Sequence, residues 1–382
     1  TPGHRLEGGN QIYGQGMWAP SLRYHEGIFY VCFTANDTHK TYLFMASNPA
    51  GPWKMANIEG FYHDNSLFFD DDEKVYIVHG NTELYLTQLR PDLKGPLEGG
   101  LHRMIVKDQG KLHLGYEGSH LYKKDGRYYL FTCHIPAYGT ERKTQDCFLA
   151  DSLEGEFRGR CIIDDDMCYH NLGVAQGGMV DTPWGDWYLF MFHDRGALGR
   201  LPMIMPVHFD ADGYPVIGES GKVPESVSIE STRPDYEYSP LNGDDDFIYQ
   251  PDKKGRVYLK PFWQFNHNPI DALWSVTERP GALRIYTGEL CDSPVLAHNV
   301  LTQRCSGPES AAWVTIDGSE MKDGDYAGIS AWIGCYGAIA LTKEKGKHYL
   351  VMYGKPAQDE TLHADKDFLE PPVEYERIAI DS

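Results

Sequence analysis

The sequence has few basic residues for its length, and this deficit excludes two classes of partner. Its 35 Lys and Arg residues are outnumbered by 55 Asp and Glu residues, which gives a formal net charge of −20. Nucleic acids and anionic membrane surfaces are polyanions, and a chain of this charge is repelled by both. We therefore expect no nucleic acid and no membrane among its partners.

Long apolar runs and regular cysteine spacings are also lacking. No stretch reaches the roughly 18 consecutive apolar residues that a transmembrane helix needs, so no membrane span is predicted. The eight cysteines include no CxxC pair. A structural zinc site of the usual spacing is therefore not expected.

Turn formers and aromatic residues are abundant instead. The chain contains 40 Gly, 23 Pro and 25 Tyr, a composition typical of an all-β protein rich in turns. A length of 382 residues suits two domains, each large enough to bury a core.

An internal repeat predicts the architecture of residues 1–218. Each copy has an apolar strand, a tight turn and an aromatic-rich strand, and a further apolar run follows. The copies are APSLRYHEGIFYVCFTAN from Ala19, DNSLFFDDDEKVYIVHGN from Asp64, EGSHLYKKDGRYYLFTCH from Glu117 and QGGMVDTPWGDWYLFMFH from Gln176. Four strands in a unit of about 40–60 residues indicate a β-propeller blade. A sandwich of hairpins is the alternative, but it does not explain the recurrence.

The rest of the chain predicts a linker and a second domain. Residues 219–246 are rich in Gly, Ser, Pro and acidic residues, which is typical of a linker. In residues 247–382, alternating apolar positions predict strands near 313–316, 327–333, 338–341 and 349–353. With no helical period visible, we expect an antiparallel β-sandwich there.

Two carboxylates occupy the first position of neighbouring repeats. Innermost blade strands run beside the propeller axis, so Asp64 and Glu117 should converge on one mouth of the channel. Hydrolysis of a glycosidic bond needs paired carboxylates, one protonated and one ionised. A carboxyl group beside a like charge holds its proton more tightly, which suits Glu117 as the acid. The alternative is that both residues cap strand ends or bind turn amides.

Several motifs together resemble glycoside hydrolase family 43. In the repeats they are Trp18-Ala19-Pro20-Ser21, His63-Asp64-Asn65-Ser66, Glu117-Gly118-Ser119-His120 and Gly199-Arg200. Residues 263–269, 274–281 and 301–304 resemble the β-sandwich of the family's β-xylosidases. The resemblance implies a five-bladed β-propeller followed by a concanavalin-like β-sandwich, with inverting hydrolysis of xylosides or arabinofuranosides.

The resemblance also implies roles for individual residues. Glu117 matches the family's general acid, and Asp64 matches the carboxylate that tunes and orients this acid. Trp18 matches an aromatic wall of the sugar pocket, where an indole face packs on the C–H surface of a sugar. Arg200 matches an arginine that hydrogen-bonds sugar hydroxyls, although a surface ion pair is the alternative for it. The expected substrate-binding residues are Trp18, Arg200, Gln176 and His120.

The general base departs from the family pattern. In the family, the general base is an Asp in an Asp-Pro-Ser-like motif of the first blade. No such motif precedes Trp18 in this sequence, which opens on Thr1. We therefore expect that about one blade of roughly 40–60 residues is missing with the base. Base assistance is typically worth about 10²–10⁴-fold, so the chain alone should hydrolyse aryl xylosides poorly or not at all. We likewise expect the sandwich to be shortened at its C-terminal end. Its open edge strand would favour association between chains, so a homo-oligomer is an alternative to the monomer.

Metal chemistry is the second departure. Many family members carry a His near the axis in the fourth repeat, which supports a calcium or water cluster, whereas this chain has Val174-Ala175-Gln176-Gly177-Gly178 there. No metal site is predicted, no cofactor is expected to be required, and an axial Ca²⁺ is unsupported by these residues.

Three functions follow from these residues and from the resemblance. The first is an exo-acting β-1,4-xylosidase on xylo-oligosaccharides, and the second is an α-L-arabinofuranosidase acting on arabinoxylan fragments. The third is a carbohydrate-binding remnant that holds sugar without hydrolysing it. Scattered cysteines and an oligosaccharide-sized substrate favour the cytoplasm.

Overall fold

The repeats fold into antiparallel sheets of four strands each in a computed structural model. The structure describes residues 16–109, 112–219, 221–291, 293–332, 335–356 and 371–380. Two units are distinguished: residues 16–195 with Arg200–Glu230, and Gly196–Gly199 with residues 231–380. Within the described ranges, no helix is both long and apolar enough to cross a membrane.

The first unit contains four such sheets among its described residues, and the strands of each follow one another along the chain. The first sheet has β1 (Ser21–His25), β2 (Ile28–Ala35), β3 (Lys40–Ala46) and β4 (Lys54–Ile58). The second has β5 (Ser66–Phe69), β6 (Val75–Asn81), β7 (Glu83–Leu89) and β8 (His102–Lys107). The third has β9 (Leu114–Lys124), β10 (Arg127–Ile135), β11 (Thr144–Ala150) and β12 (Arg158–Ile163). The fourth has β13 (Val174–Asp181), β14 (Trp187–Asp194), β15 (Arg200–Phe209) and β16 (Pro215–Ile217).

The turn residues explain why the first and third sheets begin with a tight hairpin. Glu26 and Gly27 join β1 to β2 with φ angles of 47° and 81°, and Asp125 and Gly126 join β9 to β10 with 49° and 78°. Two successive positive φ angles match the twist of a two-residue hairpin. The predicted all-β fold of repeated four-stranded units is confirmed, and the count of five blades stays a prediction.

Apolar side chains fill the space between consecutive sheets. One core joins the first and second sheets, and its buried members include Leu43, Ile58, Leu67 and Ile77. A second core joins the second and third sheets, with Val78, Leu86, Leu121 and Leu130. A third joins the third and fourth, with Phe131, Leu149, Leu189 and Met205. Because each buried side chain of this size contributes about 1.5–3 kcal/mol, the sheets are held firmly and their loops start from fixed positions.

The first strands of the sheets approach one another, as expected for the innermost strands of a propeller. Arg23 of β1 donates from Nε to the carbonyl oxygen of Leu67 in β5 at 2.9 Å. The same guanidinium lies 3.3 Å from Nδ1 of His120 in β9. The N–H of Ser119 donates to the carbonyl oxygen of Asp64 at 3.3 Å. The starts of β5 and β9 are therefore held side by side.

The second unit is also built from strands. Short pairs are formed by β17 (Gln264–Phe265) with β20 (Leu301–Thr302), and by β18 (Trp274–Ser275) with β19 (Arg284–Ile285). A four-stranded antiparallel sheet follows, with β21 (Tyr326–Trp332), β22 (Tyr336–Glu344), β23 (Lys347–Lys355) and β24 (Val373–Ile380). Short 3-10 helices span Gly196–Leu198 and Asp271–Leu273.

The strand predictions for the second unit are correct in three of four places. The strands predicted near 327–333, 338–341 and 349–353 coincide with β21, β22 and β23 over their described residues. Residues 313–316 form no strand, and Trp313 is 89% exposed. Their alternation suits a strand, but a strand also needs a paired neighbour and a buried face.

Candidate active site

Two predicted catalytic residues and one neighbour come together at the start of β5 and β9. One donor atom each of His63, Asp64 and Glu117 lies within 4.8 Å of the other two. Asp64 precedes β5 with a φ of 44°, a left-handed conformation in which Asp and Asn are enriched. The backbone fixes this turn, because the N–H of Gly80 donates to the carbonyl oxygen of His63 at 2.9 Å.

Glu117 is oriented by contacts on one of its two oxygens. Nδ2 of Asn81 donates to Oε2 of Glu117 at 2.7 Å. Nε2 of His63 lies 3.5 Å from the same oxygen. Oγ1 of Thr132 donates to the Glu117 carbonyl oxygen at 2.6 Å, which fixes the backbone beneath the side chain. With 17% of its side chain exposed, Glu117 can meet a ligand while staying mostly shielded from water.

Asp64 is the more deeply buried of the two carboxyl groups, and its surroundings raise its pKa. Burial and the negative charge of Glu117 raise the pKa of Asp64 to about 6, against the opposing effects of His63, the Gly118 N–H and Arg200. Burial lowers the pKa of His63, but its hydrogen bond to Glu117 and the charges of Asp64 and Glu117 outweigh burial and raise that pKa. The cluster therefore exchanges protons near neutral pH, as acid–base chemistry requires.

The spacing of the two carboxylates limits the roles that they can take. Inverting glycosidases place acid and base about 6.5–9.5 Å apart so that a water molecule fits, and retaining enzymes use about 5–5.5 Å. Here the two donor oxygens lie within 4.8 Å. That gap leaves no room for a water and a reacting sugar carbon between Asp64 and Glu117. The geometry suits an acid with a neighbouring carboxylate that modulates it.

Trp18 and Arg200 lie around this cluster. The Trp18 ring meets the His63 ring edge to face, with the ring centroids 4.9 Å apart. Nε of Arg200 donates to Oδ1 of Asp194 at 3.1 Å, and its guanidinium lies 4.4 Å from the centre of the Phe192 ring. The side chain is 58% exposed, yet its charge still helps to lower the pKa of Asp64. Arg200 thus forms the surface ion pair that was the alternative for it, and it is also near the carboxylate cluster.

Gln176 and His120 occupy different surroundings. Gly118, with a φ of 66°, has room only for a hydrogen, because a Cβ there would lie 2.8 Å from Cγ of Gln176. The Gln176 side chain therefore lies against the residue that follows Glu117. His120 is packed with Arg23 instead, and burial together with the charge of Arg23 lowers the pKa of His120 to about 3. A neutral imidazole in this place supports the innermost strands.

Sequence reasoning missed two residues that contact Glu117, namely His63 and Asn81. His63 stood inside a quoted motif directly before Asp64, and an imidazole next to a candidate carboxylate was the available signal. Asn81 is the last residue of β6. In a hairpin the last residue of the second strand returns to the end where the first strand starts. Pairing the first and last positions of each repeat would have placed Asn81 near the site.

The cluster of His63, Asp64 and Glu117 has the donor types of a divalent-cation site. Two carboxylates and an imidazole are suitable ligands for several such ions. Oε2 of Glu117 already accepts a hydrogen bond from Asn81, so an ion would compete with that contact. The sequence predicted neither a metal nor a required cofactor, and this stays a prediction.

Comparisons with known proteins concern both units. The model of the family described as glycosyl hydrolases family 43 matches residues 2–215. The model of the beta xylosidase C-terminal concanavalin A-like domain matches residues 256–380, which confirms the fold type predicted for the second domain.

Individual relatives and a solved structure extend these matches. A protein of Xylanibacter ruminicola named for beta-xylosidase activity is 30% identical over 344 residues, covering 88% of this chain and 62% of that protein. A non-reducing end alpha-L-arabinofuranosidase of Bacteroides ovatus is 27% identical over 286 residues, covering 71% of this chain and 51% of that protein. A solved structure of a bifunctional GH43-CE protein of Bacteroides eggerthii has a TM-score of 0.80 and 37% identity, covering 100% of this chain and 47% of the other. The chain therefore spans only part of the length of the proteins it resembles.

Proposed function

The chain belongs to glycosyl hydrolases family 43, and on this basis we propose that it acts as an inverting glycoside hydrolase on the ends of xylo-oligosaccharides. The observation that carries the proposal is the cluster of Asp64, Glu117 and His63 within 4.8 Å, with Asn81 bound to Glu117. A confined carboxylate pair with a partly exposed acid is what protonation of a glycosidic oxygen requires.

Glu117 is the general acid in this proposal. Asn81 and His63 both contact Oε2, so Oε1 is the oxygen left to carry the proton towards the leaving group. Asp64 lies beside this acid and orients it, which is the role that the family resemblance gives to this carboxylate. His63 joins the two carboxylates and keeps the cluster from carrying the full charge of both.

Sugar binding would use the residues around the cluster. Trp18 offers an aromatic face for the C–H surface of a pentose. Arg200 and Gln176 offer donors for its hydroxyls, since each carries N–H groups near the carboxylates. Activation of water is assigned to none of these residues, and slow hydrolysis by the chain alone stays a prediction.

The test uses the chain itself with p-nitrophenyl β-xyloside, with and without azide. Azide is a nucleophile that needs no general base, so it should speed release of nitrophenol by about tenfold or more and yield xylosyl azide of inverted configuration. Full hydrolysis in water without any effect of azide would refute the absence of a base. Sugar binding without turnover, even with azide, would refute the hydrolase and select the carbohydrate-binding function.

An α-L-arabinofuranosidase is the second candidate, because the Bacteroides ovatus relative bears that name. The same assay with p-nitrophenyl α-L-arabinofuranoside distinguishes the two substrates. A larger kcat/KM for the arabinofuranoside would replace the xylosidase proposal with this one.

A further inference from the structure

Thr82 is a strained residue at the tip of the hairpin between β6 and β7. Its φ of 66° is a left-handed conformation, in which a β-branched residue is an outlier. Residues held in such conformations cluster at functional sites, where the surrounding contacts maintain the strain. We propose that Thr82 is a positioning residue, whose hydroxyl holds the Asn81 amide with its NH₂ group facing Glu117. The inference rests on the proposed function and names what orients the contact to the acid.

The Thr82 hydroxyl completes a short chain of hydrogen bonds. Oγ1 of Thr82 donates to Oδ1 of Asn81 at 3.0 Å. At its other end, the same amide donates from Nδ2 to Oε2 of Glu117 at 2.7 Å. A reversed amide would set two acceptor oxygens against each other at Glu117, so the amide oxygen is the end that faces Thr82. Hydrogen bonds linked in such a chain polarise and strengthen one another.

Hydrogen bonds rather than packing must hold the Asn81 side chain. Asn81 is exposed at the end of β6. An exposed amide side chain samples several rotamers, and fixing one of them costs conformational entropy. The bond from Thr82 offsets part of this cost. Without it, Asn81 would donate to Glu117 for a smaller fraction of the time.

Thr82 is in turn fixed to the strand that carries Glu117. Its N–H donates to the carbonyl oxygen of Tyr116, the residue before Glu117, at 2.9 Å. Its carbonyl oxygen accepts from the N–H of Asp108 at 2.8 Å. The side chain lies against Gly115, where an added Cβ would be 2.1 Å from Oγ1 of Thr82. These contacts maintain the strained backbone and give the hydroxyl a fixed position relative to Glu117.

The two segments that bind the Thr82 backbone belong to one packed cluster. Asp108 is buried directly after β8, and its Oδ2 lies 2.7 Å from Nδ1 of His134 in β10. The His134 ring stacks on the Tyr116 ring, with the centroids 4.3 Å apart. The interior of the first unit therefore sets the position of the hydroxyl, as a functional site that depends on precise geometry requires.

The orientation of Asn81 matters for proton transfer. In the proposed function, Asn81 binds Oε2 of Glu117 and leaves Oε1 to carry the proton. The net effect of one hydrogen bond on an equilibrium is about two- to tenfold. Loss of the Thr82 hydroxyl should therefore slow reactions that need this proton by a factor in that range, and other reactions less.

The first measurement follows the Asn81 amide and needs no turnover. In the chain labelled with isotopic asparagine, nuclear magnetic resonance measures how fast the Asn81 side-chain N–H protons exchange with water, and Asn81→Ala identifies the signal. Thr82→Val keeps the β-branch and removes the hydroxyl, so it should speed this exchange by about fivefold. Thr82→Ser keeps the hydroxyl and should stay within about twofold of the wild-type rate.

The second measurement is kcat with azide present. Thr82→Val should lower kcat by about fivefold for xylobiose, whose leaving oxygen needs a proton, and by less than about twofold for 2,4-dinitrophenyl β-xyloside. Thr82→Ser should recover the xylobiose rate. Thr182→Val is the matched control, because this hydroxyl accepts from the N–H groups of Trp184 and Asp186 in the β13–β14 turn, at the opposite end of the strands. It should leave both measurements unchanged.

The outcomes separate this role from the proposed function. Unchanged amide exchange in Thr82→Val overturns the positioning role, and so does a change that Thr82→Ser shares, since the methyl group would then be responsible. An equal loss of kcat for the two substrates also overturns it. If the wild-type chain has no turnover even with azide, the hydrolase proposal fails, and faster exchange in Thr82→Val alone still establishes that Thr82 orients Asn81.

Discussion

Replacing Asp64 by Asn should make the protein more stable while impairing its chemistry. The pKa of Asp64 rises from 3.8 to about 6 on folding, chiefly through burial and then through the charge of Glu117. The folded protein thus binds this proton more tightly than the unfolded chain, and the free energy of unfolding falls as pH rises between the two values. At about 1.4 kcal/mol per pKa unit, this shift lowers the free energy of unfolding by about 3 kcal/mol above pH 6.

Asn removes the charge and keeps the local geometry. It tolerates the φ of 44° at this position and retains an oxygen that can accept from the Gly118 N–H. Asp64→Asn should therefore raise the free energy of unfolding by up to about 3 kcal/mol at pH 8.5 and by about 1 kcal/mol at pH 4.5. Such a gain on removal of a catalytic group is the usual trade-off between stability and activity.

Urea denaturation followed by circular dichroism measures both values. Asp165→Asn is the matched control. Burial alone would raise the pKa of Asp165, but hydrogen bonds from the Met167 and Val223 N–H groups and the charge of Lys222 lower it. That substitution should therefore destabilise the protein at neutral pH, and the loss should shrink in acid. Destabilisation by Asp64→Asn at pH 8.5, or a gain that does not change with pH, would refute the electrostatic reasoning.

Two further predictions concern the contacts of Glu117. Asn81→Ala removes the hydrogen bond to Oε2, so kcat with azide present should fall by about tenfold, and the alkaline side of the pH–rate profile, where a general acid loses its proton, should move; an unchanged profile would make Asn81 purely structural. Removal of divalent cations by EDTA should leave this rate unchanged, because hydrogen bonds already fill the cluster of His63, Asp64 and Glu117. Loss of activity on chelation, with recovery when a cation is returned, would show that the cluster holds a metal.

The sequence predicts the strands of the first unit well because local pattern and tertiary environment agree there. Runs such as Val75-Tyr76-Ile77 have β-branched and aromatic residues, and both faces of these strands are buried between neighbouring sheets. Residues 313–316 have a similar composition but form no strand. Pairing depends on which segment lies alongside, and a single segment does not contain that information.

The candidate site was predictable only in part. The repeat register brings Asp64 and Glu117 together, because equivalent positions in a propeller meet at one end of the channel. Asn81 was missed since its contact with Glu117 depends on the side-chain direction after a full hairpin.

The most direct test of the central claim compares leaving groups in the Glu117→Gln variant, with azide present in every assay. Xylobiose needs a proton on its leaving oxygen, whereas 2,4-dinitrophenyl β-xyloside leaves without one. If Glu117 is the general acid, kcat/KM should fall by about 10²–10⁴-fold for xylobiose and by less than about tenfold for the dinitrophenyl substrate. An equal loss for the two substrates would contradict the assignment of Glu117 as the proton donor.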